Sequence, residues 1–227
     1  MWALAPGVVL VVAGLVVFGV LLDSVLERDR LWALDQAVLA WMVGHRSDLT
    51  TAVLATITFI TGPVLLPIVV AVGCAAWVVV RRRWWRPSLL ALAMLASTLL
   101  GLAVKGVVGR DRPPAETMFV PGAETTASFP SGHTLGTATL LLVAGYLATS
   151  RRPTRGRVVG WAVATVVGTS LVALSRLYLG YHFLSDVLAA TGLAVAVLGV
   201  VCAVDRWHVW RRTPLSQPPG ERLPVEP

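Results

Sequence analysis

The sequence predicts an all-α membrane protein: a polytopic bundle of six transmembrane helices forming one domain. Three observations carry that reading. Mean hydropathy is +0.75. Charged residues make up 14% of the chain and hydrophobic residues 56%, whereas a soluble domain carries roughly 25% charged residues. Apolar runs of about 20 residues recur, each able to cross a hydrocarbon core of roughly 30 Å as a helix.

The first run, residues 5–22, has no basic stretch before it and no convincing small-residue cleavage site after Leu22. It therefore reads as a span rather than a cleaved signal peptide. Residues 23–50 are mixed. Leu31, Leu34, Val38 and Trp41 recur at helical spacing, with Asp35 and Gln36 on another side. That suggests an amphipathic helix in the interface, with Trp32 and Trp41 at headgroup level, or an ordinary surface helix. The second span falls within 52–80, where Gly62, Pro63 and Pro67 kink it or mark its outer end.

The third span runs from about Leu89 to Val108, is ended by Gly109 and Pro113, and leads into a polar loop, 109–130. The fourth covers about 131–149, the fifth 158–174 and the sixth 183–204. The domain is thus 1–205. The residues after Asp205, with Pro, Gln and Glu, read as a disordered tail, 206–227. Cys74 and Cys202 lie in apolar runs and read as small core residues, not as a disulfide or a zinc site.

The formal charge of +7 does not point to nucleic acid, because its placement is that of membrane topology. Arg81, Arg82, Arg83 and Arg86 fall between two spans, and Arg151, Arg152, Arg155 and Arg157 between two others. With six spans, both clusters and Arg206, Arg211 and Arg212 share one side. In 23–50, Arg28, Arg30 and Arg46 are set against five acids. The positive-inside rule then places both termini in the cytoplasm and the 23–50 and 109–130 loops outside.

Three polar clusters interrupt the apolar pattern. Lys105, the only lysine beside eighteen arginines, precedes Arg112 by two helical turns. Taken alone, a snorkelling lysine and a charged loop explain this equally well. Pro130-Ser131-Gly132-His133 opens the fourth span. Ser131 is a favoured N-cap, Gly132 lets an anion approach the backbone, and a helix N-terminus attracts phosphate. A capped helix with an incidental histidine is the bland alternative. Ser175-Arg176 closes the fifth span, and His182 and Asp186, four apart, open the sixth on one helical face. An acid at membrane depth is costly and reads first as functional, though a structural His–Asp bond explains this pair about as well. Topology separates these readings: all three clusters fall on the outer side, at similar depth, by a charge argument that does not involve the histidines.

In order and spacing the clusters match K-x6-R-P, P-S-G-H and S-R-x5-H-x3-D. The chain therefore resembles the type 2 phosphatidic acid phosphatase (PAP2) family, over roughly residues 50–205 with the signature in 105–186. The resemblance implies a helical bundle with its active site at the ends of core helices, and phosphatase chemistry without a metal or other cofactor. It also implies roles. His182 attacks phosphorus and becomes a phosphohistidine. Asp186 fixes its tautomer and stabilises the cation. His133 protonates the leaving alkoxide and then activates water. Lys105, Arg112, Arg176 and the Ser131 and Gly132 amides hold the phosphoryl oxygens. Opposite starting protonation states for the two histidines predict a bell-shaped pH profile.

The expected partner is a lipid phosphate in the bilayer, at an extracytoplasmic site of a multi-pass cell-membrane protein. An undecaprenyl-type diphosphate ranks narrowly ahead of phosphatidylglycerol phosphate, phosphatidic acid and other prenyl phosphates. Phosphotransfer to an acceptor other than water, and a non-catalytic lipid-phosphate binder or transporter, are the rival functions. The sequence does not state an oligomeric order.

Overall fold

The computed structural model describes residues 4–28 and 30–212, with Arg30 in its backbone only. The described residues form eight α-helices and one short 3-10 turn, with no strand. They are α1 (Ala5–Glu27), α2 (Arg30–Gly44), α3 (Asp48–Ile60), α4 (Leu65–Arg81), α5 (Trp85–Val108), α6 (Gly132–Thr149), α7 (Arg155–Tyr178) and α8 (Leu184–Arg212). The 3-10 turn, Ala115–Thr117, lies in the loop between α5 and α6.

Four helices, α1, α5, α7 and α8, are long and apolar enough to cross a membrane alone, and α3 with α4 passes as a pair bent by 51°. The fourth expected span, α6, has 18 residues but less apolarity than these. It buries Thr134, Thr137 and Thr139 against its neighbours. Outward-facing valines such as Val80 and Val107 are exposed, as expected where lipid rather than water is the solvent.

α1 packs antiparallel along α8 through paired glycines. A Cβ on Gly14 would fall 2.5 Å from the Gly192 carbonyl oxygen, and one on Gly7 would fall 2.7 Å from that of Gly199. Small residues at these positions let the two backbones touch, which is how helices gain dispersion energy in lipid. α1 runs five residues past the expected end at Leu22, to Glu27.

The second expected span is two helices. Gly62 and Pro63 break it, because proline supplies no amide to continue the ladder. Both ends of α3 are tied to the last turn of α7. The Ser47 amide donates to the Tyr178 hydroxyl at 2.6 Å, and Arg176 donates to Thr58 Oγ1 at 2.9 Å. α3 therefore crosses the end of α7, and α4 descends through the bundle.

The buried face of α2 is the one carrying Asp35 and Leu39. Of the expected apolar face, Leu34 and Trp41 are exposed, and Leu31 and Val38 are half-buried. The sequence places Asp35 on a polar side, but here it is satisfied by partners on other elements. The expected disordered tail also starts later. α8 continues without a break to Arg212, and near its end His208 stacks on Trp85 of α5 at 3.6 Å. The rest of that tail, 213–227, lies outside the described residues. Cys202 is buried as expected, while Cys74 is only half-buried.

The two ends of the bundle differ in chemistry. At one, Asp205 of α8 accepts from Trp85 (2.9 Å), Arg86 (3.3 Å) and Tyr146 (3.3 Å), locking α5, α6 and α8 together. The arginine-rich turns lie there, and Arg82, Arg83, Arg151 and Arg212 border an open cleft of about 940 Å³. The other end gathers all three signature clusters.

Candidate active site

The turn from α7 into α8 presents the central histidine. Gly180 takes φ 73°, a left-handed conformation that costs a glycine little. It reverses the chain so that the Tyr181 amide bonds the Arg176 carbonyl at 3.0 Å. His182 follows, two residues before α8 begins. The His182–Asp186 pair is thus not a helical-face pair. Asp186 stands in the first turn of α8 and reaches back to the Phe183 amide at 2.9 Å, the way the third residue of a helix closes a capping box. The same oxygen, Oδ2, lies 3.1 Å from His182 Nδ1.

Asp186 is fully saturated. Oδ2 also accepts from Ser128 Oγ, which lies 3.3 Å from His182 Nδ1. Oδ1 accepts from Arg110 at 2.5 Å. With Nδ1 engaged, Nε2 is the ring nitrogen left to face the cavity, 3.4 Å from Arg112 Nη1. His182 sits outside the spans, and burial pushes its pKa down to about 4. The Asp186 bond pulls it up, and Arg176 and Arg112 push it down further. The imidazole is therefore neutral at pH 7, as a nucleophile must be.

Arg112 is held by the loop it belongs to. Its Nε donates to Thr126 O at 2.6 Å and Nη1 to Tyr181 O at 2.9 Å. Its Nη2 meets Glu124 Oε2 at 3.0 Å. Arg176, 1% exposed, donates to the other Glu124 oxygen and lies over the Tyr181 ring at 4.5 Å. Burial alone would raise the Glu124 pKa, but Arg176 and Arg112 outweigh it and hold the carboxyl below its ordinary value. Glu124 thus bridges two guanidinium groups as the oxygens of a phosphate would. Lys105 bonds the Ala127 carbonyl and lies 3.5 Å from that of Ser128.

A cavity of about 290 Å³ joins these groups. Lys105, Arg112, Glu124, His133 and His182 border its polar end. Leu66, Pro67, Met94, Leu102 and Leu135 form an apolar wall between α4, α5 and α6. Pro67 and Leu102 on that wall are exposed, so the cavity reaches the lateral surface of the bundle. His133 makes no hydrogen bond among the described residues, and its Nε2 lies near Gly62 at the break between α3 and α4.

Of the residues expected from sequence, Lys105, Arg112, Gly132, His133 and His182 border the cavity directly. A Cβ on Gly132 would meet nothing within 4 Å, so the backbone there is approachable. Asp186 stands behind His182, and Arg176 behind Glu124. Ser131 departs from expectation. It is fully buried, its amide bonds the Asp186 carbonyl at 3.1 Å, and its hydroxyl accepts from Thr134 at 3.1 Å. That amide is not free for an anion, and the hydroxyl caps nothing. Sequence reasoning missed Arg110, Ser128 and Asp35 as site residues, and left Glu124 unassigned within the polar 109–130 loop. Arg110, two positions before Arg112, carried the one available signal.

The PAP2 superfamily matches residues 86–210. Phosphatidylglycerophosphatase B of Bacillus subtilis is 29% identical over 195 residues, covering 84% of this chain and 93% of that protein. The crystal structure described as the first transmembrane PAP2-type phosphatidylglycerolphosphate phosphatase from Bacillus subtilis superposes with a TM-score of 0.77 at 26% identity, covering 87% of this chain and 96% of that one. LpxE of Aquifex aeolicus shares the fold at a TM-score of 0.53 and 19% identity, over 77% of this chain and 95% of its own.

Proposed function

The chain belongs to the PAP2 superfamily, and from that membership we propose that it is a metal-independent lipid phosphate phosphatase working through a phosphohistidine on His182. The observation that carries the reading is the cavity: phosphoryl-handling groups at one end and an apolar wall reaching the lateral surface at the other. That shape suits a substrate with a phosphate head and hydrocarbon chains.

The reaction has two steps. The Nε2 lone pair of His182 attacks phosphorus while the bond from phosphorus to the lipid oxygen breaks. His133 gives its proton to the departing alkoxide, and the lipid alcohol leaves. Water then attacks the phosphorus of the phosphohistidine, His133 takes its proton, and the bond to Nε2 breaks, releasing inorganic phosphate. Asp186 offsets the positive charge that the ring gains on phosphorylation. Lys105, Arg112 and Arg176 neutralise the equatorial oxygens, where charge spreads. The Gly132 amide supplements them in this reading. Arg112 and Arg176 reach the phosphoryl group by exchanging Glu124 for it.

The substrate class follows the relatives. Phosphatidylglycerol phosphate moves ahead of an undecaprenyl-type diphosphate, because two of the similar proteins carry the former activity in their names. The arginine-rich end supports an orientation: read by the positive-inside rule as cytoplasmic, it puts the site on the extracytoplasmic face in this proposal.

The test uses purified protein with phosphatidylglycerol phosphate, phosphatidic acid and undecaprenyl diphosphate in mixed micelles. Wild type releases phosphate fastest from the first and transiently carries acid-labile phosphate. His182→Ala, with an unchanged size-exclusion profile, releases none. Near-wild-type turnover by that variant would sink the nucleophile assignment. A phosphorylated added alcohol in place of free phosphate would identify a transferase.

A further inference from the structure

Behind the His182–Asp186 pair lies a second, largely buried charge relay from a different part of the chain. Arg110 Nη1 donates to Asp186 Oδ1 at 2.5 Å, and its Nη2 donates to Asp35 Oδ2 at 2.7 Å. Asp35, on α2, also accepts from the Ser185 amide at 2.8 Å and the Ser185 hydroxyl at 2.5 Å. That hydroxyl in turn accepts from Arg110 Nη1 at 2.7 Å. The Arg110 guanidinium stacks over the Phe183 ring at 4.4 Å. Side-chain exposure is 8% for Arg110, 2% for Asp35 and 0% for Asp186. Neither Arg110 nor Asp35 borders the cavity.

We propose that Arg110 and Asp35 are positioning residues for catalysis: Arg110 fixes the Asp186 carboxylate so that Oδ2 faces His182 Nδ1, and Asp35 balances the Arg110 charge so that Asp186 keeps its full electrostatic effect on the ring. The inference rests on the nucleophile reading above. Its physical basis is twofold. A guanidinium fork can hold two carboxylates at once and in fixed directions, which an ammonium cannot. In a dry site, an unbalanced Arg110 would cancel the negative charge that His182 needs as it becomes cationic. With Asp35 present, the three buried charges leave one net negative charge beside the imidazole. This makes α2, which contributes nothing to the cavity wall, part of the catalytic apparatus.

The groups facing His182 and Asp186 from the other elements are Lys105 of α5, His133 of α6, Arg176 of α7, and Arg112 and Glu124 of the loop. These are common to all variants below, so differences among the variants report on the relay. Wild type, His182→Ala, Arg110→Gln, Asp35→Asn and the Asp35→Asn/Arg110→Gln double variant are purified. kcat, KM and the pH dependence of kcat/KM are measured, with size exclusion and thermal unfolding as fold checks. Each single variant is expected to lose about 10- to 100-fold in kcat with KM changed by less than about twofold, as partners behind a working imidazole do. The acid limb should shift in opposite directions. Arg110→Gln leaves two carboxylates near the ring and moves it up, whereas Asp35→Asn leaves Arg110 unbalanced and moves it down. The double variant restores the net charge and should return the limb close to that of wild type.

A purely structural brace would cost folded protein without opposed shifts. If His182→Ala is inactive while the folded single variants keep wild-type kcat and acid limb, the relay is wrong and the nucleophile stands. If His182→Ala turns over, the reading beneath both fails. Should a single variant not fold, Ser185→Ala, which removes one bond to each partner, supports the relay by a kcat loss at constant KM. Unchanged kcat and KM in Ser185→Ala overturn the relay.

Discussion

Asp186 Oδ2 lies 3.1 Å from Nδ1 of His182, and the Phe183 amide meets the same oxygen at 2.9 Å. One carboxylate atom thus caps α8 and orients the imidazole. Helix start and the orientation of the proposed nucleophile are consequently a single feature, and a change to Asp186 is felt by both.

Asp186→Asn tests that coupling. An asparagine offers one acceptor, but Asp186 now faces donors on both oxygens: Arg110 on one side, and Phe183, Ser128 and His182 on the other. Whichever way the amide turns, an N–H confronts an N–H. The expected result is a kcat loss of about 10³- to 10⁴-fold, comparable to loss of the orienting aspartate in a serine protease triad. A phosphate-release assay on folded variant measures it, and a loss below tenfold contradicts the assigned role.

Arg112→Lys keeps the charge and removes the fork. Arg112 uses all three nitrogens, on Thr126, Tyr181 and Glu124, so an ammonium at the end of a longer stem cannot reproduce the arrangement. kcat/KM should drop by about 10²-fold, the cost of one lost transition-state donor. Full activity in the lysine variant would show that charge alone suffices.

Glu124→Gln removes the anion that Arg112 and Arg176 now share. If phosphate takes that place during turnover, inorganic phosphate and vanadate should inhibit the variant several-fold more tightly than wild type. Weaker inhibition would mean that Glu124 positions the arginines rather than competing for them.

The pH dependence has a defined sign. Burial lowers the His182 pKa to about 4, below the ordinary imidazole value. The proposed nucleophile is thus neutral at every pH above that point, and becomes protonated and unable to attack only as the pH falls through it. The acid limb of kcat/KM should therefore fall below pH 6, and a limb centred near 6.5 or higher would contradict the burial argument.

Gly14→Leu should destabilise the bundle. Its Cβ would meet the backbone of α8, at 2.5 Å from the Ala196 nitrogen, and backbone has no rotamer with which to yield. Overpacking of this kind costs about 1–3 kcal/mol, read as a lower unfolding temperature in detergent. An unchanged unfolding temperature would mean that α1 is not held to α8 by that contact.

The sequence by itself determined the class, the order and approximate bounds of the long apolar helices, and the signature that marks the family. These properties are written in local composition and fixed spacing: lipid demands apolar runs, and the signature residues stand at set intervals along the chain. It also read His182 and Asp186 as a pair, though the pair arises from a capping turn and not from a helical face.

Only the tertiary structure decided which polar groups are spent on one another. The Ser131 amide is used by the Asp186 carbonyl, Glu124 sits between two arginines, and Asp35 of α2 reaches Arg110 across 75 residues. Helical spacing set Asp35 on a side away from the apolar residues, and burying an acid there requires a partner. The partner exists, but it arrives from a loop after α5, and no spacing rule connects the two. Burial of a charge depends on where its counter-charge folds, and that is a property of the whole bundle.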